Sequence, residues 1–277
     1  MTQNLAQQLG YGADERLAIF NCDDLGSSLS ANLACEEALR RGFATSATLM
    51  VPCPWAREAV ERCKDLDIGV HLTLTSEYPL YRWRSMTGAA SLHDADGFLP
   101  RTAQEVWAKA DLRAVEAECR AQIDAALGWG LDVTHLDSHM GTMQMQPEYF
   151  SIYMKLAKDY RLPLRMVSTG AERHLGFACR ELARQNGILF IDHFVLQWGQ
   201  TTHMVIENAI SKMRPGVTEF CLHPVLDGPE LHAYDPTQAH IRAHDHACVM
   251  DEGLAHDIKR AGIRSISFRP LRNAMRG

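Results

Sequence analysis

The sequence predicts an α/β fold with seven or eight parallel strands that can close into a barrel. Short apolar runs of strand character alternate with amphipathic helical stretches almost from one end of the chain to the other, and such alternation is typical of parallel βαβ units. The chain has 277 residues, a length that (β/α) barrels commonly use for one domain. We therefore predict one domain over residues 1–277, with a doubly wound open sheet as the alternative architecture.

The strands are predicted where short apolar runs lie between turn-forming residues. In chain order they lie near residues 17–21, 47–51, 68–74, 133–136, 164–167, 188–195, 217–222 and 263–268. The helices are predicted from apolar residues at helical spacing, and glycines such as Gly42, Gly187 and Gly262 suit their C-caps. In chain order they lie near residues 32–41, 55–64, 103–128, 148–160, 172–185, 203–213 and 248–260.

Two long connections interrupt this alternation. Residues 75–102 contain Tyr78, Tyr81 and Trp83, and residues 225–247 are rich in histidine. Connections longer than about 12–15 residues in a compact domain are usually functional lids or disordered segments. Both follow predicted strands, so we expect them at the carboxyl face of a barrel, where active sites are built. Plain surface insertions are the alternative.

Composition excludes several classes of protein. The 28 Lys+Arg against 34 Asp+Glu give a net charge of −6, which offers no basic field for nucleic acid. No apolar run approaches the roughly 18 residues of a membrane span, and residues 1–15 lack the apolar core of a signal peptide. We expect a cytoplasmic protein with no nucleic-acid or membrane partner. The eight cysteines form no C-x-x-C pair, so neither a zinc ribbon nor a disulfide framework is expected.

Two adjacent carboxylates, Asp23 and Asp24, come directly after an apolar strand. Two like charges at an apolar strand end are costly, and a divalent cation would neutralise them. A solvated turn that caps the next helix is the alternative. His71 lies in another strand-like run. Its two interpretations are a hydrogen-bonded core residue and a metal ligand.

Residues 134–139 hold the densest cluster. At the period of two of an extended strand, His135, Asp137 and His139 share one face. Two imidazoles with a carboxylate between them suit a metal ligand and the group that orients it. His223 ends a later strand, and Pro224 keeps its backbone extended; its imidazole could serve as an acid or base near neutral pH. All of these residues fall at or near predicted strand ends, which share one rim in a barrel.

In this order the residues resemble the YdjC/ChbG family of carbohydrate deacetylases, which is distantly similar to the polysaccharide deacetylases. The resemblance covers residues 16–272 and is carried by the segments 21–26 (NCDDLG), 41–48 (RGFATSAT), 69–74 (GVHLTL), 134–139 (THLDSH), 221–224 (CLHP) and 262–268 (GIRSISF). The family fold is an irregular, TIM-like (β/α) barrel. The resemblance implies a metal-dependent hydrolase that removes acetyl groups from N-acetylated amino sugars or oligosaccharides.

The resemblance also implies roles for single residues. Asp24, His71 and His139 would hold one divalent metal ion, Asp23 would be the catalytic base, and His223 would match the family's late active-site histidine. Family members are described as magnesium-dependent, whereas a donor set of two imidazoles and one carboxylate favours Zn²⁺ or another first-row metal; both Mg²⁺ and Zn²⁺ are therefore expected cofactors. The chain departs from the family where the third motif commonly continues into further histidines, since residues 140–142 are Met-Gly-Thr.

Further roles are hypotheses on the same residues. His223, as an imidazolium, would protonate the leaving amine. Asp137 and His135 could orient a metal-binding histidine, and Arg165 could orient a carboxylate. A small carbohydrate is the expected substrate, and its rings could stack on the aromatic residues of the first long connection, although ordinary packing would explain these equally well; they are Tyr78, Tyr81 and Trp83. A homo-oligomer is compatible with the sequence. The rival functions are a catalytically inactive carbohydrate-binding barrel and another metal-dependent sugar hydrolase or isomerase.

Overall fold

The chain folds into a parallel α/β barrel of irregular outline. The structure, a computed structural model, describes residues 4–196, 198 and 201–277. Seven strands form its sheet: β1 (Arg16–Leu25), β2 (Ser46–Leu49), β3 (Ile68–Leu72), β4 (Leu136–Ser138), β5 (His193–Val195), β6 (Gly216–Leu222) and β7 (Ile263–Ser265). The predicted α/β class and the strand count of seven or eight are confirmed.

Thirteen helices are present in the described residues, and most of them cover the outside of the sheet. They are α1 (Leu5–Gln8), α2 (Leu29–Arg40), α3 (Ala56–Cys63), α4 (Ala103–Lys109), α5 (Leu112–Gly128), α6 (Pro147–Tyr160), α7 (Thr169–Leu175), α8 (Cys179–Gln185), α9 (Thr202–Ile210), α10 (Pro229–Tyr234), α11 (Ala239–Val249), α12 (Glu252–Arg260) and α13 (Arg269–Arg276). None of these helices is both long and apolar enough to cross a membrane.

All strand pairs are parallel, in the order β4-β3-β2-β1-β6-β5, and β7 pairs with the first residues of β1. Two single parallel bridges link the open edges, because Leu164 pairs with Leu136 of β4 on one side and with Phe190, just before β5, on the other. The strand predicted near residues 164–167 is therefore reduced to the single residue Leu164, which forms both bridges. Pro163 has no amide hydrogen to give to a ladder, and the two bridges at Leu164 close the sheet into a barrel.

The helices differ from the sequence prediction at breaks in the chain. The helix predicted over residues 103–128 is two helices, since Asp111 caps α5 with its side chain. Residues 172–185 are also divided, because Gly176 takes the left-handed conformation that ends α7. The connection over residues 225–247 was expected as a long loop and instead contains α10 and most of α11. The connection over residues 75–102 is irregular, as predicted, apart from one 3₁₀ turn at Ala90–Leu92.

The core is apolar and contains all the thiols. Phe20 of β1 stacks on Phe220 of β6 at a centroid distance of 5.0 Å, which places aromatic packing in the middle of the sheet. All eight cysteines are buried and free, and none of them is paired in a disulfide.

Candidate metal centre

The carboxylates of Asp23 and Asp24 both reach one rim of the barrel because β1 is irregular at its end. In a regular strand adjacent side chains point to opposite faces. Here the register of β1 against β2 shifts between Cys22 and Leu25, and Asp24 has a left-handed backbone with φ of +63°. Such conformations are uncommon for non-glycine residues and cluster at functional sites. The bulge turns both carboxylates into the site.

Three side chains from three strand ends meet at this rim. Asp24 Oδ1 lies 3.5 Å from His71 Nε2 and 3.4 Å from His139 Nδ1, and the two nitrogens are 3.3 Å apart. All three residues are buried. Four tetrahedral ligands at bonds of about 2.0–2.1 Å would lie about 3.3–3.4 Å from one another. The triangle thus has the spacing of three ligands around one ion.

Asp24 supplies the observation that tests this fit. Its Oδ2 accepts a 2.8 Å hydrogen bond from Arg242, whereas its Oδ1 is buried with no hydrogen-bond partner among the described residues. Although burial alone would raise the pKa of Asp24, the nearby imidazole of His139 and the charge of Arg242 hold it well below its usual range. An ionised, buried oxygen without a donor is costly, and a cation in the triangle would supply what it lacks.

Each imidazole is held by a second carboxylate on its far side. His71 Nδ1 donates to Asp137 Oδ1 at 2.6 Å, and these two residues are register partners in the β3–β4 ladder. His139 Nε2 donates to Glu77 Oε2 at 3.0 Å. Such pairing fixes the ring and leaves the other nitrogen free for a metal. The site therefore presents Nε2 of His71 and Nδ1 of His139 to the same point.

The electrostatics of His139 show that this point attracts positive charge. Burial lowers the pKa of an imidazole, yet here the charges of Glu77 and Asp24 outweigh it and raise the pKa of His139 to about 10. Without an ion, the site therefore holds a proton between these carboxylates. A divalent cation would replace that proton and satisfy the same charges.

Arg165 connects the neighbouring carboxylates and holds Asp23. Its Nη1 and Nη2 donate to the two oxygens of Asp23, both at 2.6 Å, and it also contacts Asp137 at 2.8 Å and Glu219 at 2.6 Å. Burial alone would raise the pKa of Asp23, but the charge and hydrogen bonds of Arg165 hold it well below its usual range. Burial raises the pKa of Glu219 to about 7, because one guanidinium serves three carboxyl groups.

His223 follows β6 and lies on the other side of Asp23. Its Nε2 is 3.9 Å from Asp23 Oδ2, and its backbone N–H donates to Asp245 Oδ2 at 2.7 Å. Burial lowers the pKa of His223, against the opposing charges of Asp24 and Asp23. The imidazole is therefore neutral at neutral pH. The strand-end residues Asp23, Asp24, His71, His139 and His223 converge as the sequence analysis expected.

Two of the orienting residues named from the sequence contact the site, and one does not. Asp137 and Arg165 have the contacts given above. His135 is fully buried, stacks on Phe268 at a centroid distance of 3.6 Å, and shares a 2.9 Å hydrogen bond with Thr134. Its Nε2 has no partner among the described residues, so the structure gives His135 no hydrogen bond to a metal-facing histidine. His135 precedes Asp137 by two residues and lies just before β4, away from the rim where the metal-facing histidines meet.

The aromatic residues of the first long connection pack against each other and against Tyr234. Tyr78 and Trp83 are buried, and the Trp83 indole donates to the carbonyl of Thr75 at 2.8 Å. Tyr81 is half-buried and its hydroxyl donates to the carbonyl of Ser27 at 2.6 Å. Of the two interpretations of these side chains, the structure therefore favours packing over stacking on sugar rings.

An exposed aromatic residue was missed by the sequence analysis. Trp198 is 41% exposed, lies edge-on to His223 at a centroid distance of 4.8 Å, and has the guanidinium of Arg242 5.6 Å from its ring centre. It follows β5 without any periodic pattern that would single it out. Glu77 and Arg242 were missed as well, since both lie in segments that the sequence marks only as long connections.

Fold and site together define the class of this protein: a parallel α/β barrel with a candidate metal centre at the carboxyl ends of its strands. The chain belongs to the YdjC-like protein family, whose model matches residues 17–260. A carbohydrate deacetylase of Geobacillus stearothermophilus is 31% identical over 261 residues, which cover 92% of this chain and 97% of that protein. A carbohydrate deacetylase of Thermus thermophilus is 39% identical over 159 residues, which cover 57% of this chain and only 56% of that protein.

The fold is shared with a solved structure. A crystal structure from Enterococcus faecalis V583, of a protein provisionally assigned to cellobiose-phosphate cleavage, superposes with a TM-score of 0.82. The match covers 93% of this chain and 99% of that chain at 24% identity. At this identity the likeness concerns the fold, and it agrees with the irregular barrel described above.

Proposed function

We propose that this protein is a metal-dependent carbohydrate deacetylase that removes the acetyl group from N-acetylated amino sugars or oligosaccharides. The observation that carries the proposal is the buried triangle of Asp24 Oδ1, His71 Nε2 and His139 Nδ1, with a further carboxylate, Asp23, beside it. The family and the two deacetylases named above support the same activity.

The donor set points to the kind of ion. Two imidazole nitrogens and one carboxylate oxygen suit Zn²⁺ or another first-row divalent metal, whereas Mg²⁺ prefers oxygen ligands and water. Mg²⁺ remains the ion that the family resemblance implies. When bound, a divalent cation here would supply Lewis acidity, which polarises an amide carbonyl and lowers the pKa of a water molecule.

Asp23 is proposed as the base that takes a proton from the attacking water. Its oxygens lie beside the triangle, since Oδ2 is 4.0 Å from His71 Nε2. The Arg165 guanidinium keeps the carboxylate ionised and fixed in one rotamer through two parallel hydrogen bonds. The same contact makes Asp23 a weak base, so a proton that it takes is readily passed on.

His223 is proposed as the acid that gives a proton to the leaving amine nitrogen. Because its lowered pKa keeps the ring neutral before reaction, the imidazole has to receive its proton during the reaction. Asp23 Oδ2 is 3.9 Å from His223 Nε2, a distance that a small movement or one water would bridge. We infer that the proton from water passes from Asp23 to His223 and then to the amine.

A small carbohydrate is the proposed substrate. Trp198 offers an exposed indole face beside His223, and such faces stack on the apolar faces of sugar rings. The experiment that tests the proposal is acetate release by the metal-loaded protein from N-acetylglucosamine and its β-1,4-linked oligomers, with the Asp23→Asn variant as control. Acetate release by the wild type is expected, with a rate about 10²–10⁴ lower in the variant. Saccharide binding without acetate would indicate a binding barrel, and aldose–ketose interconversion would indicate an isomerase; either would overturn the proposal.

A further inference from the structure

A second group of metal-binding donors lies on the other side of Asp23. Along β6, alternate residues share a face, which places Cys221 and the following strand-end residue His223 toward the barrel interior. Cys22 of β1 pairs in register with Leu222, so the next residues of both segments, Asp23 and His223, adjoin. Sheet register alone therefore brings a thiol, an imidazole and a carboxylate together.

The distances between these donors are short. Cys221 Sγ lies 3.9 Å from His223 Nε2, and His223 Nε2 lies 3.9 Å from Asp23 Oδ2. The ligand atoms of Asp23, Cys221 and His223 all fall within 4.8 Å of one another. A small cleft lined in part by Val195, Trp198 and Asp245 reaches Cys221 and His223, which gives a small ion a route to them.

We propose that Asp23, Cys221 and His223 form a second cation site, selective for thiophilic ions such as Zn²⁺, whose occupation switches the enzyme off. A thiolate, an imidazole and a carboxylate are a typical set of zinc ligands. Mg²⁺ and Ca²⁺ prefer oxygen ligands and bind sulfur poorly, so the thiol disfavours them. On binding, the Cys221 Sγ–H proton would leave to solvent and the sulfur would bond to the ion; no electron is transferred.

This site binds more weakly than the triangle of Asp24, His71 and His139. Arg165 already donates to both oxygens of Asp23, and its positive charge opposes a second cation, although each carboxylate oxygen keeps a lone pair to offer. Occupation therefore needs an excess of the metal.

Inhibition follows from which residues the ion would occupy, and this part of the inference rests on the proposed function. Asp23 is the proposed base and His223 the proposed acid, so an ion bonded to both removes the lone pairs that carry the proton. Cys221 itself has no part in the proposed reaction. The thiol would therefore determine how sensitive the enzyme is to zinc, while the neighbouring residues Asp23 and His223 carry out the reaction.

An optical titration with Co²⁺ tests the second site without any measurement of activity. Metal-free protein, reduced with a phosphine, is titrated with Co²⁺ while the near-ultraviolet sulfur-to-cobalt charge-transfer band is followed. The triangle contains no sulfur, so the first equivalent is expected to give no such band and the second equivalent to give one. Cys221→Ser should lose the band and still bind the first ion. Cys248→Ser, which removes another buried thiol on α11, should keep it.

Zinc inhibition tests the consequence. The acetate release of wild type is expected to fall as Zn²⁺ exceeds one equivalent. Cys221→Ala, which loses a ligand, should need at least the about 10- to 100-fold more Zn²⁺ that losing a hydrogen-bonding partner of a ligand costs. No charge-transfer band in the wild type, a band that survives Cys221→Ser, or an unchanged inhibition midpoint in Cys221→Ala would overturn the proposal. If no acetate is released at all, the proposed function fails, while the optical titration still decides whether the site exists.

Discussion

Asp23 and Asp24 are adjacent in the chain, yet their carboxylates are held in opposite ways. Asp23 accepts hydrogen bonds from Arg165 at both oxygens, whereas Asp24 accepts one from Arg242 and keeps its other oxygen buried without a partner among the described residues. The first arrangement suits a fixed, ionised base, and the second suits a monodentate metal ligand. The different hydrogen bonds that Arg165 makes to Asp23 and Arg242 makes to Asp24 therefore support the assignment of Asp23 as the base and Asp24 as the ligand.

The first prediction concerns the ligands of the ion. Replacing His139 with Ala removes the Nδ1 donor, so the purified protein should lose most of its bound metal together with its activity. Metal content measured by plasma mass spectrometry checks this. His232→Ala is the matched control, since His232 is an exposed histidine whose imidazole hydrogen-bonds to Asp227 at 2.7 Å, and it should keep full metal content. Full occupancy in His139→Ala would remove it from the ligand set.

The second prediction separates the adjacent carboxylates. Asp23→Asn keeps the shape of the side chain and removes the base, so it should retain metal and lose about 10²–10⁴ in kcat. Asp24→Asn weakens a ligand and should lose metal. Metal content and acetate release measured on both variants decide the question. If Asp23→Asn released the ion and Asp24→Asn kept it, the two roles would be exchanged.

The third prediction concerns His223 as the acid. An amine is a poor leaving group and needs a proton, whereas an activated aryl oxide needs little help. His223→Gln should therefore retain metal and lower kcat/KM for N-acetyl hydrolysis far more than for an aryl acetate. Rates on the two substrates, measured at one pH, provide the comparison. Equal losses on both would indicate that His223 positions the substrate instead.

The fourth prediction uses the buried carboxyl of Glu219, whose pKa burial raises to about 7 from 4.5. In the folded state it keeps its proton where the unfolded chain has lost it, so its contribution to the free energy of unfolding is complete below about pH 4.5 and is lost as the pH rises through 7. The effect is of order 3 kcal/mol at most. Glu219→Gln, which stays neutral, should flatten this part of the stability–pH curve.

Chemical denaturation of the metal-free protein at several pH values between 4.5 and 8 measures this difference. The wild-type curve should fall more steeply with pH than the curve of Glu219→Gln. Parallel curves would show that Arg165 keeps Glu219 ionised throughout this range.

The sequence predicted the parts of the site that lie on regular strands. His71 and Asp137 lie in runs of strand character, and their pairing in the β3–β4 ladder follows from alternation and from the shared rim of strand ends. His135 shows the limit of that pattern. It shares the alternation of Asp137 and His139, but residue depth along a strand is set by register, and register depends on neighbours distant in the chain.

The site residues that the sequence did not predict lie in segments without a helical or strand-like periodicity of apolar residues. Glu77 follows β3 in an irregular connection, and Trp198 follows β5 in another. Arg242 lies on α11, whose apolar residues form no continuous stripe because histidines interrupt it. Their contacts with His139, His223 and Asp24 arise from tertiary packing alone. The bulge at Asp24 is likewise a product of packing, since that position has no glycine or proline from which the sequence could predict it.

The most direct test is acetate release from N-acetylated chito-oligosaccharides by the metal-free protein as Zn²⁺ is added back. The site described here predicts negligible release without metal and a rise in proportion to added ion up to one equivalent per chain, with no comparable rise in His139→Ala. Acetate release by the metal-free protein at the rate of the loaded protein would contradict the account, and so would its complete absence from the loaded protein on every N-acetylated saccharide.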